Sequence, residues 1–312
     1  MVRVSAQAPG AVVMIRPHHF SPNPETAYDN SFQSIAFGRG VSEVAQTAFA
    51  EVSQMAATLE TLGVQVHVFD DESSANPDAV FPNNWFSTHA GGQIAIYPMA
   101  LPSRRGERRA DVVDLLKHRY RVQDVIDYSG LEQDNVFLEG TGGMVLDHIE
   151  RVAYATRSKR VSDVGLERFC AHFNYEPVLF EAFYESCTPI YHTNVLMCLG
   201  TDVALIGLEL ISDTPRRDEI AMRLEDSGRE VIALSAREIA GFAGNAIELR
   251  GQDGTFLAMS RTGVEALRPE TRRRVEAHVP LVAFDVPTIE LAGGSVRCML
   301  AGVHLSPRRL AA

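Results

Sequence analysis

Cysteine is scarce in this sequence: Cys170, Cys187, Cys198 and Cys298 are scattered through 312 residues, with no CxxC pair and no metal-ligand spacing. A disulfide framework is therefore not expected, and a reducing, cytoplasmic setting is. There is no excess of basic residues, since the formal net charge is -11. That argues against a nucleic-acid partner, which needs a clustered cationic face. The one basic run, "RRGERRAD" (104–111), reads as a solvated loop at a helix start. No apolar stretch reaches the length of a membrane span, and the run Ala11 to Ile15 is too short for a signal core. It reads as a first strand preceded by about ten loosely ordered residues. No linker or low-complexity tract divides the chain, so one domain over 1–312 is expected.

What the sequence does contain is a repeat. Apolar residues from Val41 to Leu62 follow helical spacing and stop at Gly63, and "VQVHVFD" (64–70) then alternates as a strand. The same order returns four times. "RRADVVDLLKHRY" leads to "RVQDVIDYS", "SDVGLERFCAHF" to "EPVLFEAF", "PRRDEIAMRLED" to "REVIALS", and "PETRRRVEAH" to "VPLVAFDVP". The last helix carries only a weak apolar stripe. After each strand comes an apolar segment, read as a second strand opening on a polar residue: Asn84, Glu139, His192, Asn245 and Cys298. These lie 55, 53, 53 and 53 residues apart, and Asn30 lies 54 before Asn84. Such regularity implies one α/β module repeated about a common axis, each copy delivering the same position to the centre.

Glu, His and Cys meeting at an axis suggest nucleophilic catalysis. A thiolate attacks, a histidine moves protons near neutral pH, and a carboxylate orients a polar substrate. Taken alone, Cys298 would pass for a small buried hydrophobe and His192 for a core residue in an apolar strand. Glu139 is harder to dismiss, because a buried carboxylate is costly unless paired or functional. The glycines of "EGTGG" lack the lysine of a phosphate loop and read as a close turn. Asn83 reads as a turn residue. The other three cysteines fall outside the register, and His18 and His19 point apart on a strand, so neither a metal nor a cofactor is assigned.

The motifs "EGTGG", "YHTNV" and "GGSVRCM" together resemble the guanidino-group-modifying enzymes: arginine deiminases, dimethylarginine hydrolases, amidinotransferases and arginine dihydrolases. "RPHHF", "DNSFQ", "FPNNWFSTH" and "LEGTGGMVLDH" look most like the citrulline-utilisation hydrolase branch. The resemblance spans nearly the whole chain and implies a five-fold pseudo-symmetric α/β propeller, the pentein fold. It also implies Cys298 as nucleophile, His192 as general acid/base and Glu139 as the carboxylate on a substrate nitrogen. Arg160, from "RSKR", would clamp the substrate α-carboxylate, with Arg157 a second choice, and Asn30 matches a position used by arginine dihydrolases. Asn84, Asn194 and Asn245 complete the expected substrate site. Two positions depart from the deiminases: Asn84 and Asn194 stand where aspartates bind a guanidinium. A carboxylate only accepts hydrogen bonds, whereas an amide both donates and accepts. The swap favours a neutral ureido group, hence citrulline. Arginine or dimethylarginine as substrate remains the alternative, and a non-catalytic binding protein of this fold a remote one. The expected partner is a small amino acid, and a homodimer is allowed for.

Overall fold

A computed structural model describes residues 5–34, 40–184 and 188–308. Cys187 lies outside them. Within them the repeat becomes visible as five three-stranded sheets of one pattern, beside a small hairpin of Phe183–Tyr184 and Thr188–Pro189. In the second sheet, Phe86–His89 pairs antiparallel with Gln93–Ile96, which pairs parallel with Asp124–Asp127. The strands Met144–Asp147, Val152–Thr156 and Glu176–Phe180 repeat that order, as do Met197–Leu199, Val203–Ile206 and Glu230–Ala233. Ile247–Arg250, Thr255–Ser260 and Leu281–Phe284 form another. The remaining sheet joins the two ends of the chain: Ala301–Gly302 runs antiparallel to Ala11–Pro17, which pairs parallel with Gln65–Asp71.

Each parallel pair needs a crossover, and the helices expected from sequence supply it: Val41–Thr61, Ala110–Arg119, Asp163–Phe173, Thr214–Asp226 and Pro269–Glu276. The apolar stripe of the first is buried through Val44, Ala48, Val52, Met55 and Leu59. The last buries only Thr271 and Val275, as its weak stripe suggested, yet it forms. Middle strands such as Val203–Ile206 are buried throughout, whereas the outer Gln65–Asp71 is partly exposed along its length.

Three expectations change. The polar register residues do not open strands. Asn84 ends the short helical turn Pro82–Asn84, Glu139 and His192 immediately precede the turns Gly140–Gly143 and Thr193–Leu196, and the strands begin at Phe86, Met144 and Met197. His192 accordingly lies at the N-terminal edge of a turn rather than within an apolar strand. Proline in the first of these turns and glycine in the second disfavour a ladder. Residues 5–10 are not loose either, because Gln7 is buried, donates to the carbonyls of Leu146 and Leu199, and accepts from His148 N.

The third change concerns "RRGERRAD". Arg104 and Glu107 are both 2% exposed and meet in a bidentate pair of 2.8 and 2.9 Å. The run is therefore not a solvated loop throughout, because this i, i+3 pair within it is buried.

Candidate active site

Asn30, Asn84, Arg160, His192 and Cys298 line one cavity of about 10 Å³, together with Asp78, Arg104 and Tyr191. Glu139, Asn194 and Asn245 stand immediately behind, touching the lining groups. Residues up to 268 positions apart in sequence are thus gathered as the register implied, by turns that every unit repeats.

Around the sulfur the geometry is specific. Asn194 Nδ2 donates to Cys298 Sγ at 3.1 Å and Asn245 Nδ2 at 3.2 Å. Asn245 Oδ1 accepts the backbone N–H of Arg297 at 3.0 Å, which fixes the amide's orientation. Asn194 and Asn245, expected to hold substrate, contact the nucleophile. The Oδ1 of Asn194 is sealed and without a partner, an acceptor left open beside the sulfur.

His192 Nε2 lies 2.8 Å from Glu139 Oε2. Burial would push Glu139 up, but Arg160, the His192 hydrogen bond and Arg104 outweigh it and hold the carboxyl well below its usual range. An ionised Glu139 makes Nε2 the protonated nitrogen of His192, leaving the Nδ1 lone pair free. Burial, only partly opposed by Glu139, pushes His192 down to about 4. The resting pair is therefore carboxylate and neutral imidazole. Gly142 permits the approach, since a Cβ there would fall 2.2 Å from Asn84 Nδ2 and 2.9 Å from His192 Nδ1.

The cationic side of the cavity is only half anticipated. Arg160 is buried, pairs with Asp29 at 2.6 Å and stands 3.6 Å from Glu139. Arg157 is exposed and pairs with Asp163, away from the cavity. Arg104, unsuspected from sequence, reaches Glu139 at 3.3 Å and Asp78 at 3.6 Å as well as Glu107. Its carboxylate partners hold its charge against burial, and its pKa is raised. The only available signal was the Arg104–Glu107 spacing, which is common on exposed helices.

Two asparagines behave differently from expectation. One N–H of Asn84 Nδ2 is given to Asn83 Oδ1 at 3.0 Å, which leaves its second N–H and Oδ1 to offer. Asn83, read as a turn residue, is fully buried and holds its neighbour in place. Asn30 lines the cavity, but its amide serves the backbone, donating to Ala292 O and accepting from Phe32 N. Among the described residues no cluster of three or more His, Cys, Asp or Glu could hold a metal ion, and no helix is long and apolar enough to cross a membrane.

A buried cysteine, histidine and glutamate held at the ends of repeated α/β turns define a guanidino-modifying α/β enzyme of pentein type. The chain belongs to the family described as N,N dimethylarginine dimethylhydrolase, eukaryotic, whose model matches residues 16–305. It is a hydrolase acting on non-peptide carbon–nitrogen bonds. Solved structures share its fold. The N-terminal domain of ArgZ bound to substrate, an arginine dihydrolase from the ornithine–ammonia cycle in cyanobacteria, is 18% identical with a TM-score of 0.74; the match covers 94% of this chain and 97% of that one. Unliganded AgrE is 16% identical with a TM-score of 0.74, covering 96% of this chain and 40% of that one. A dimethylarginine dimethylaminohydrolase adduct with S-methyl-L-thiocitrulline is 14% identical with a TM-score of 0.63, covering 94% and 98%. No curated protein matches the chain.

Proposed function

We propose that this enzyme hydrolyses the ureido group of citrulline to ornithine, ammonia and carbon dioxide, as the citrulline-utilisation hydrolases are expected to do. One observation carries the reading: the groups converging on Cys298 Sγ are the neutral amides of Asn194 and Asn245, with no carboxylate in contact with it. A ureido carbonyl needs N–H donors, and those donors also suit the oxyanion that forms on attack.

Cys298 Sγ attacks the ureido carbon, and the thiol proton passes to the free Nδ1 of His192. The adduct collapses with cleavage of one C–N bond, His192 returning the proton to the departing nitrogen. Water then adds to the carbon of the S-acyl intermediate, its proton taken by His192 and returned as the C–S bond breaks. The resulting carbamic acid loses carbon dioxide. Glu139 keeps His192 oriented and accepts from a substrate N–H, while Asn84 Oδ1 and Asn194 Oδ1 offer further acceptors. Arg160, with Arg104, receives the α-carboxylate. Five α/β units closing about one axis as a single domain would bring the register residues together in this way, and a cytoplasmic location suits the free thiol.

The second reading is hydrolysis of arginine or dimethylarginine. It draws on the acceptor oxygens of the site, Asn194 Oδ1 above all, which has no partner among the described residues and suits guanidinium N–H donors. Supplying citrulline, arginine and dimethylarginine separately, while assaying ornithine, citrulline and ammonia, decides the matter. Consumption of citrulline to ornithine is expected; turnover of arginine alone would overturn the citrulline reading. Cys298→Ala is expected to abolish turnover of every substrate, and residual turnover of any of them would remove the cysteine mechanism.

A further inference from the structure

Behind the catalytic layer lies a second cavity of about 40 Å³ that shares no lining residue with the first. Cys298 faces one and Arg297 the other. Its polar wall includes Gln7, His148, Cys198, Arg297 and His304. Arg297 Nη1 donates to Leu300 O at 3.0 Å, but the Nε and Nη2 edge of the guanidinium has no hydrogen-bond partner among the described residues. Nor are those two nitrogens among the sealed, unpartnered atoms, and the residue is only partly covered, so the cavity reaches them. No carboxylate lies within 4.0 Å of Arg297 among the described residues, unlike Arg104, Arg160 and Arg229, which are each buried against one.

The carboxylate of Glu248 is near enough to raise the Cys198 thiol but accepts from Thr201 N and Oγ1, and the residues lining the cavity do not supply the missing charge. Burial pushes the Cys198 thiol up to about 12 and His304 down to about 4, while His148 is held well below its ordinary value, so all three are neutral near pH 7. After burial, His304, His89, Arg151 and Arg297 lower His148 further, and Arg297 and Arg250 lower His304; Arg297 is itself lowered from its ordinary value by burial. The side-on edge of a guanidinium matches two oxygens of a planar anion. A space of this size holds roughly three waters or one small anion.

We propose that this rear cavity binds a planar monovalent oxyanion on Arg297 and that its occupancy weakens the Cys298 thiolate. The coupling path is short. Arg297 N donates to Asn245 Oδ1, and Asn245 Nδ2 donates to Cys298 Sγ. A nearby cation favours a thiolate, and an anion neutralising that cation disfavours it. Bicarbonate is one source of such an anion and small carboxylates such as formate another; only the link from bicarbonate to the enzyme's own product rests on the proposed function.

The test uses the whole protein without substrate, so it does not depend on which substrate is hydrolysed. Nitrate, formate and bicarbonate are compared with gluconate, too large for the cavity, at equal ionic strength. The small anions are expected to raise the Tm by at least about 2 °C. They are also expected to move the pH for half-maximal alkylation of Cys298 upward by roughly one unit. Arg297→Lys, which keeps the charge but loses the planar fork, and Arg297→Gln are both expected to abolish the anion effects. Identical behaviour of gluconate, no shift at saturating nitrate, or an undiminished shift in Arg297→Lys would each overturn the proposal. A response to formate and nitrate but not bicarbonate would support the site and remove the product link.

Discussion

Arg104 is the residue whose removal is most informative. It compensates Glu107, Asp78 and Glu139 at once, all of them buried. Arg104→Leu strands that charge and is expected to cost about 3–5 kcal/mol in denaturant unfolding. His192 makes a pH prediction. Its folded value of about 4 lies below its ordinary 6.5, so between these values the unfolded chain binds the extra proton. Its contribution is complete above pH 6.5 and is lost as pH falls toward 4, about 3 kcal/mol in all. Other buried histidines shift the same way, so the test is the difference between the wild-type and His192→Asn stability curves. That difference should change across pH 6.5 to 4 and be flat above it. Neither the buried state of Arg104 nor the shifted proton of His192 was legible in the sequence. An arginine in a charged run and a histidine in an apolar one look the same whether they face solvent or a carboxylate 35 or 53 positions away.

The short turns that end each crossover set the precision of the site. Gly140 has φ of +46°, and a Cβ there would come within 2.4 Å of Asn83 O. Gly142 faces Asn84 and His192 at comparable range. Gly142→Ala must displace one of those side chains, and a shift near 1 Å is expected to lower kcat about 10²-fold with a much smaller loss of stability. Steady-state kinetics beside thermal unfolding would check it; an unchanged kcat would mean that the turn does not position the catalytic groups. Helices and outer strands were readable because their periodicity is local. The turns were not, because a glycine-rich or proline-rich break is equally compatible with a strand opening and with one helical turn.

At the scale of the molecule, the catalytic cavity is narrow, with room at its core for roughly one water. A substrate the size of an amino acid is therefore expected to need movement of a wall. The segment 20–34 supplies Thr26 and Asn30 to that wall without forming helix or strand, and Asp29 ties it to Arg160 at 2.6 Å. Asp29→Asn is expected to loosen this tie and to speed alkylation of Cys298, which is 2% exposed, by several-fold. Mass spectrometry of the modified cysteine reads the rate, and an unaltered rate would place the opening elsewhere.

The order of elements, the five-times repeated module and the register that singles out Asn84, Glu139, His192, Asn245 and Cys298 were all determined by the sequence, because each rests on spacing along the chain. Even the resemblance to guanidino-modifying enzymes rests on motifs no longer than a dozen residues. What the tertiary structure alone decided is the charge and hydrogen-bond state of those residues: which arginines turn inward, which asparagine nitrogen is already engaged, which groups face the sulfur. Those depend on pairs brought together across sheets from distant parts of the chain, and an electrostatic partner at that distance leaves no pattern in the order of amino acids.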